Sequence, residues 1–207
     1  MGNSKKARLD LDGKTYDGEA QLESSELLFH GDRRVIIAFQ QIASVTAVDG
    51  ELRIRYAGRD AVLHLGSDAP KWAEKILHPK TVVQKLGIRP GQHVSVVHFD
   101  DESFITNLHA AGAMATKGKP KSGSDAIFYG ASTRADLARL STLKNSLADN
   151  GALWIIRPKG VKEITEDDVM AAGKAAGLVD VKVVRFSDTH TAEKFVVPVA
   201  QRAPRKA

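Results

Sequence analysis

Hydrophobic and polar residues alternate in short runs over residues 8–65, which is typical of β-strands with one solvated face. Arg53 and Arg55, for example, alternate with apolar neighbours. Asp49-Gly50 just before them is a strong hairpin signal, because both central residues of a type I′ turn need positive φ. The pattern predicts a helix over Ala69–Leu77 and, before it, seven strands: Arg8–Leu11, Glu19–Glu23, Glu26–His30, Val35–Phe39, Ser44–Val48, Leu52–Tyr56 and Ala61–Leu65.

Longer apolar runs alternate with helical stretches over residues 93–197, which predicts a parallel sheet covered by helices. Strands are expected at His93–Phe99, Asp125–Tyr129, Leu153–Ile156, Val181–Phe186 and Glu193–Pro198, and helices at Glu102–Ala111, Arg134–Ala148 and 165–177. The connection between the last two strands is too short for a crossover helix. These two strands are therefore expected to pair antiparallel.

Three resemblances follow from these patterns. Seven strands and a helix carrying Trp72 resemble a pleckstrin-homology-like domain, in which the Trp is a core plug. Leu147–Trp154 and Ala175–Lys182 resemble class I S-adenosylmethionine methyltransferases. The chain also resembles a bacterial family of unknown function on that fold, through Lys85–Gly91, Leu153–Lys159 and Gly177–Lys182.

The predicted fold class follows from these resemblances. It is an N-terminal pleckstrin-homology-like β-barrel with one C-terminal helix, followed by a reduced α/β Rossmann-like, methyltransferase-like domain that ends in an antiparallel hairpin. The first domain spans residues 1–79, the second spans 80–200, and a disordered basic tail spans 201–207.

The turn after the first strand of the second domain departs from the methyltransferase pattern. Those enzymes bind S-adenosylmethionine over a glycine-rich turn, whereas Phe99–Phe104 contains no glycine. The acid that would hold the ribose has no match either, because residues 113–121 are lysine-rich. We therefore expect no cofactor and do not favour S-adenosylmethionine.

Composition narrows the remaining chemistry. The chain contains no cysteine, which excludes thiol nucleophiles, disulfides and thiolate metal sites. The seven histidines show no metal-ligand spacing, so no metal site is predicted. The sequence contains no secretory signal and no apolar run long enough for membrane insertion, and we expect a cytoplasmic protein.

Ligands of open α/β sheets bind outside the carboxyl ends of the strands. Ser132 or Thr133 at a helix start, with basic residues nearby, can hold a carboxylate or phosphate. Alternatively, the hydroxyl caps its helix and the basic residues pair with Asp100, Asp101 and Asp136. The ligand-binding candidates are His98, Asp100, Ser132, Thr133, Arg134, Arg157 and Lys159, and no catalytic residue is assigned.

The leading functional hypothesis is a non-enzymatic binding or regulatory protein on a degenerate methyltransferase-like scaffold, with an anionic small molecule or a protein as partner. The alternative is a methyltransferase-like transferase, or another enzyme acting on an anionic small molecule, with Asp100 as base. A second alternative is weak nucleic-acid binding through residues 117–121 and the basic tail. It starts from the net charge of +5 but is not favoured.

Overall fold

The computed structural model describes residues 3–202, and the chain divides into two compact units, Met1–Lys80 and Thr81–Ala207. The predicted disordered tail lies outside the described residues from position 203 onward. Gln201, the first residue of the predicted tail, lies in a 3₁₀-turn formed by Val199–Gln201. The assignment of the two units to named domain types stays a prediction.

The first unit is one antiparallel sheet followed by one α-helix. Its elements are β1 (Asn3–Leu11), β2 (Lys14–Leu22), β3 (Glu26–Gly31), β4 (Val35–Ala38), β5 (Ile42–Val48), β6 (Glu51–Tyr56), β7 (Arg59–His64) and α1 (Ala69–Leu77). Short 3₁₀-turns lie at Phe39–Gln41 and Gly66–Asp68. The strand order in the sheet is β4-β3-β2-β1-β7-β6-β5.

Two-residue turns set the register of three hairpins in this sheet. Both central residues have positive φ at Asp12-Gly13, Asp49-Gly50 and Ala57-Gly58. This geometry matches the right-handed twist of the flanking strands. The hairpin predicted at Asp49-Gly50 is confirmed, since Val48 pairs with Glu51 across it.

Helix α1 packs on β5 and β6. It begins with Pro70 in its first turn, where proline is tolerated, and it buries Trp72 and Ile76 along one face. The indole of Trp72 is 2% exposed and belongs to the core of this unit, so its predicted core position is confirmed. Truncating such a side chain to Ala typically costs about 3–5 kcal/mol.

The second unit is a six-stranded mixed sheet with short helices. Its elements are α2 (Val82–Leu86), β8 (His93–Val97), α3 (Glu102–Ala110), β9 (Met114–Lys117), β10 (Ser124–Gly130), a 3₁₀-helix (Arg134–Arg139), α4 (Leu140–Lys144), β11 (Leu147–Pro158), α5 (Glu166–Ala175), β12 (Val179–Arg185) and β13 (His190–Val196). The strand order is β12-β13-β11-β10-β8-β9. Strands β9, β8, β10 and β11 are parallel, and β13 pairs antiparallel with both β11 and β12.

Each face of this sheet has its own apolar core. Phe128 and Trp154 lie in one core, whereas Tyr129 and Ile155 lie in the other. Because neighbouring residues of a strand point to opposite faces, burial on both sides requires the continuous apolar run that β10 shows.

The fold class predicted from the sequence is wrong. In the first unit the seven strands form a curled, open half-barrel instead of a closed barrel, because β4 and β5 lie at opposite edges of the sheet. Strand β4 has only four residues, too few for an extended ladder. In the second unit strands predominate, and the described helices are few and short, in contrast to a helix-covered α/β domain.

The predicted helix over Arg134–Ala148 shows why. The segment is a six-residue 3₁₀-helix and then the five-residue α4. Ser141, Thr142 and Asn145 are weak helix formers. Leu147 already pairs with Ser124 of β10, so sheet pairing ends the helix early. Asn150-Gly151, a dipeptide typical of turns, accordingly lies inside the long strand β11.

Candidate functional site

The strand order of the second unit reverses between β8 and β10. From β8 the chain passes through α3 to β9 on one side, and it then returns to β10 on the other side. Open sheets with parallel strands bind ligands at such a switch, beyond the carboxyl ends of the strands. His98 follows β8 directly, and Gly130 is the last residue of β10. These two strand ends define the candidate site.

His98 is held in an unusual conformation at this point. Its φ is +52°, in the left-handed region that non-glycine residues seldom occupy. The ring atom Nδ1 lies 2.9 Å from the carbonyl oxygen of Gly130 and 4.0 Å from Oδ1 of Asp136. The ring also stacks on Tyr129 with a centroid separation of 5.9 Å. The side chain is 55% exposed.

The two strand ends approach each other closely. A β-carbon on Gly130 would lie 2.2 Å from the carbonyl oxygen of His98, a distance that no real contact allows. Glycine is therefore required at position 130 for this packing, and it allows the His98 ring to reach the Gly130 carbonyl.

Asp136 supplies the carboxylate of the site. Its Oδ2 accepts hydrogen bonds from the main-chain N–H groups of Ser132 (3.0 Å) and Thr133 (2.8 Å), and from the Thr133 hydroxyl (2.9 Å). Burial raises the pKa of Asp136, but these donors outweigh it, so the pKa lies below its ordinary value. The Tyr129 hydroxyl donates to the main-chain oxygen of Asp136 at 2.9 Å and fixes the loop.

The donors predicted to hold a ligand anion therefore hold the chain's own carboxylate. The sequence-based candidates Ser132 and Thr133 lie at the site together with His98, and Asp136 occupies their N–H groups. Whether they also bind a ligand stays a prediction. The spacing of Thr133 and Asp136, three residues apart at a helix start, is a capping signature that points to this contact.

The basic candidates lie apart and are paired with acids or carbonyl groups. Arg134 donates to Asp168 at 2.9 Å, which lowers the pKa of Asp168. The ammonium group of Lys159 donates to the main-chain oxygen of Ser187 at 2.7 Å. Burial, with the nearby charge of Arg185, lowers the pKa of Lys159. These partners differ from the aspartates weighed in the sequence analysis.

Arg157 forms a buried ion pair that the sequence did not indicate. Its Nε lies 3.0 Å from Oε1 of Glu193 on the neighbouring strand. Its Nη2 lies 3.6 Å from Oε2 of Glu166, which is on the solvent side. Glu193 is 0% exposed, and burial raises its pKa. Its Oε1 accepts a hydrogen bond from Thr191, whereas Oε2 is buried without a partner in the described part of the chain.

Asp100 is tied to the end of β9. Lys117 donates to Asp100 and also to Glu102 at 2.6 Å, and these bonds raise the pKa of Lys117. Asp101 accepts a hydrogen bond from the Phe104 N–H at 2.9 Å and so caps α3. Of the lysines in the loop weighed for nucleic-acid binding, Lys117 is thus neutralised by acids. Nucleic-acid binding stays a prediction.

These contacts test whether S-adenosylmethionine fits the turn after β8. Close approach of a nucleoside needs a turn free of side chains, but His98 bridges to β10 and the Phe99 ring packs against Phe186 at a centroid separation of 5.3 Å. Lys117, a cation, closes the end of β9 where a ribose would need an acceptor. The residues at the turn after β8 do not fit S-adenosylmethionine.

An open depression of about 880 Å³ lies on the first unit. It is lined by Lys6, Ala7, Arg8, Asp17, Gly18, Glu19, His30 and His64. Its mixed charges and wide opening do not indicate a particular ligand.

Among residues 3–202 no helix has the length and apolarity to cross a membrane, and no group of three or more metal-binding side chains occurs.

No protein-family model matches the sequence, and no curated protein matches it either. Solved structures similar to this chain include S-adenosylmethionine-dependent methyltransferases. One from Aquifex aeolicus is 16% identical with a TM-score of 0.46, over 55% of this chain and 86% of its own. A TehB-like enzyme from Corynebacterium glutamicum is 11% identical with a TM-score of 0.43, over 63% and 96%. An O-methyltransferase from Thermotoga maritima is 7% identical with a TM-score of 0.46, over 98% and 95%.

Likenesses at this level of identity and TM-score carry no conclusion about the activity of this chain. The methyltransferase-like part of the predicted resemblance agrees with these neighbours. They do not confirm the resemblance to a family of unknown function or to pleckstrin-homology-like domains.

Proposed function

We propose that the second unit is an enzyme in which His98 acts as a general base on a small substrate at the carboxyl edge of the parallel strands. The observation that carries this proposal is the contact of His98 Nδ1 with the Gly130 carbonyl oxygen at 2.9 Å. A carbonyl oxygen can only accept, so Nδ1 carries the hydrogen of the neutral ring. The lone pair of Nε2 is then available to take a proton.

The neighbouring carboxylate supports the same role. When Nε2 removes a proton from an O–H, S–H or N–H group of the substrate, or from a water that attacks the substrate, the ring becomes an imidazolium. Asp136 Oδ1 lies 4.0 Å from Nδ1, and its negative charge stabilises that cation. The proton then passes to a leaving group or to solvent, which restores the neutral ring.

The backbone of His98 is further support. Left-handed φ values at non-glycine residues cost about 1 kcal/mol or more, and they persist where the surrounding structure enforces them, often at active sites. Here the strain places an exposed imidazole at the switch of strand order.

This proposal favours the enzymatic alternative over the non-enzymatic binding role. It differs from the sequence-based hypothesis in its base, because Asp100 is paired with Lys117, whereas His98 uses Nδ1 for the Gly130 carbonyl and keeps Nε2 for the substrate. It invokes no anionic substrate, since Arg134 and Arg157 are already paired with acids.

A generic ester tests the base directly. Cleavage of p-nitrophenyl acetate is compared for the full chain, His98→Gln and His93→Gln, the last being an exposed histidine at the other end of β8. The wild-type protein should cleave the ester faster than buffer does. In His98→Gln the rate above buffer should fall about 10²-fold or vanish. His93→Gln should retain it. If folded His98→Gln, verified by circular dichroism, keeps the wild-type rate, the proposal is wrong.

A further inference from the structure

A row of side chains crosses the second sheet at one level and ends in two like charges. Phe128 of β10 pairs with Trp154 of β11, Trp154 pairs with Lys194 of β13, and Lys194 pairs with Lys182 of β12. The rings of Phe128 and Trp154 stack with centroids 6.0 Å apart. The row therefore runs from a buried aromatic stack to a pair of cations at the sheet edge.

The two ammonium groups lie over the same indole. Nζ of Lys182 is 5.5 Å from the centroid of the Trp154 ring, and Nζ of Lys194 is 5.6 Å from it. A cation over an indole is favourable by itself. Two cations that share one ring also repel each other, and like charges directly opposite on neighbouring strands destabilise a sheet.

Acids do not compensate this charge. Neither lysine forms an ion pair with an acid among residues 3–202, and Lys182 donates instead to the main-chain oxygen of Lys85 at 2.8 Å. Lys85 itself is partly buried on α2 and has no acid partner in that part of the chain. Burial and the charge of Lys182 lower the pKa of Lys194, and burial and the charge of Arg185 lower that of Lys85.

The contrast with the other basic side chains is informative. Arg134 pairs with Asp168, Arg157 with Glu193, and Lys117 with Asp100. Folded proteins rarely leave like charges adjacent and uncompensated, and such local conflicts tend to occur at functional sites. The unpaired charge of Lys182 and Lys194 is therefore available to an external anion.

We propose that Lys182 and Lys194, flanked by Lys85, form a binding site for a phosphate group at the β12–β13 edge. A phosphate dianion offers several acceptor oxygens and enough charge to neutralise two ammonium groups at once. Lysine ammonium groups bind such ions as compact point charges with rotatable donors. The site involves other strands than His98, so it is separate from the proposed general base and goes beyond it.

The main competing explanation is that the lysine stems only cover Trp154, as long side chains often do over apolar surface. Methionine preserves an unbranched apolar stem and removes the charge. Lys182→Met and Lys194→Met therefore separate the two explanations. Lys162→Met, at an exposed lysine between β11 and α5, is the matched control for loss of one positive charge.

Inorganic pyrophosphate is titrated into the full chain in phosphate-free buffer by calorimetry and by ¹H–¹⁵N spectra of the indole groups. We expect saturable binding and a shift of the Trp154 indole signal, with the Trp72 signal, assigned through Trp72→Phe, as internal reference. Each of Lys182→Met and Lys194→Met should weaken binding roughly tenfold or more, whereas Lys162→Met should not.

Three results overturn the proposal. One is the absence of saturable binding to the wild-type chain at millimolar pyrophosphate. Another is equal weakening by Lys162→Met, which indicates attraction by net charge alone. The third is unchanged affinity in folded Lys182→Met and Lys194→Met, which leaves the lysines as a cover for the indole.

Discussion

Lys194 lies directly opposite Lys182 on the neighbouring strand, and both ammonium groups lie within 5.6 Å of the centre of the Trp154 ring. The fold thus keeps two positive charges side by side above a buried indole. The cost of that arrangement is measurable without any ligand.

Lys194→Met should stabilise the chain. Removing one of two opposed like charges relieves a repulsion of about 0.2–1 kcal/mol, and the methionine stem preserves the cover of Trp154. Urea unfolding at neutral pH in phosphate-free buffer measures the difference. Lys162→Met, which lacks a like-charged partner in the described sheet, should change the free energy of unfolding by less than about 0.5 kcal/mol.

The gain from Lys194→Met should decrease at high pH. The pKa of Lys194 is lowered by burial and by Lys182 from its ordinary value of 10.5. Between the folded pKa and 10.5 the folded state therefore binds fewer protons than the unfolded state, so wild-type stability rises with pH in that window. The difference between the wild type and Lys194→Met should shrink there. A pH-independent difference would show that charge is not its cause.

His98→Gly should be more stable than His98→Ala. Both variants lose the imidazole and its bond to Gly130, but alanine retains the cost of a φ of +52°. Glycine adopts that backbone freely, so we expect about 1 kcal/mol in its favour, although glycine is normally the less stable of the two in regular structure. Thermal unfolding of the two variants measures this. Equal stabilities would argue against strain at position 98.

Asp136→Ala should lose both stability and catalysis. Its carboxylate accepts three hydrogen bonds from Ser132 and Thr133, so truncation should cost about 1 kcal/mol. Because the pKa of Asp136 is below its ordinary value of 3.8, its contribution is present above 3.8 and is lost as pH falls through the folded pKa. The stability deficit of Asp136→Ala should therefore vanish in acid.

Asp136→Asn serves as the conservative control. It retains an acceptor for the Ser132 and Thr133 N–H groups and removes the negative charge beside His98. We expect most of the stability to return while cleavage of p-nitrophenyl acetate stays reduced. Recovery of both properties would make Asp136 a helix cap only.

Arg157→Met should be strongly destabilising at neutral pH. It leaves Glu193 buried without its cation, a change that typically costs about 3–5 kcal/mol. Burial raises the folded pKa of Glu193 above 4.5, so the folded state favours the protonated form. That form contributes stability below 4.5, and the contribution is lost as pH rises through the folded pKa. The defect should therefore be smaller in acid. In Arg157→Met/Glu193→Gln the pH dependence should disappear.

S-adenosylmethionine should not bind in the turn after β8. His98 contacts Gly130 and Lys117 contacts Asp100 in that region, and the turn has no glycine that would let a nucleoside approach the main chain closely. Isothermal titration with millimolar S-adenosylmethionine should show no saturable heat. Saturable binding that is lost in Lys117→Ala would contradict this assignment of the turn.

Local sequence predicted the elements of the chain better than their assembly. The helix at Ala69–Leu77 and the Asp49-Gly50 hairpin depend on neighbours a few residues away, and both occur as predicted. The helix predicted over Arg134–Ala148 was wrong because Leu147 pairs in the sheet with Ser124, which is distant in sequence. The predicted closed barrel was wrong for the same kind of reason, since closure depends on which strands pair and not on the pattern of each strand.

The sequence also marked the region of the candidate site without its contacts. His98, Ser132 and Thr133 were recognisable from their places at strand ends and helix starts. That His98 reaches the Gly130 carbonyl and that Glu193 is buried beside Arg157 depend on residues 32 and 36 positions apart in the chain.

The sequence by itself therefore determined where strands, turns and capped helices form, because these follow from side-chain period, backbone freedom and hydrogen bonds between near neighbours. The tertiary structure alone decided which charges are neutralised and which are not. Strand pairing places an acid, Glu193, beside Arg157, but it places a second cation, Lys194, beside Lys182. Electrostatic interaction depends on distance in space, and the chain order of these residues does not contain that distance.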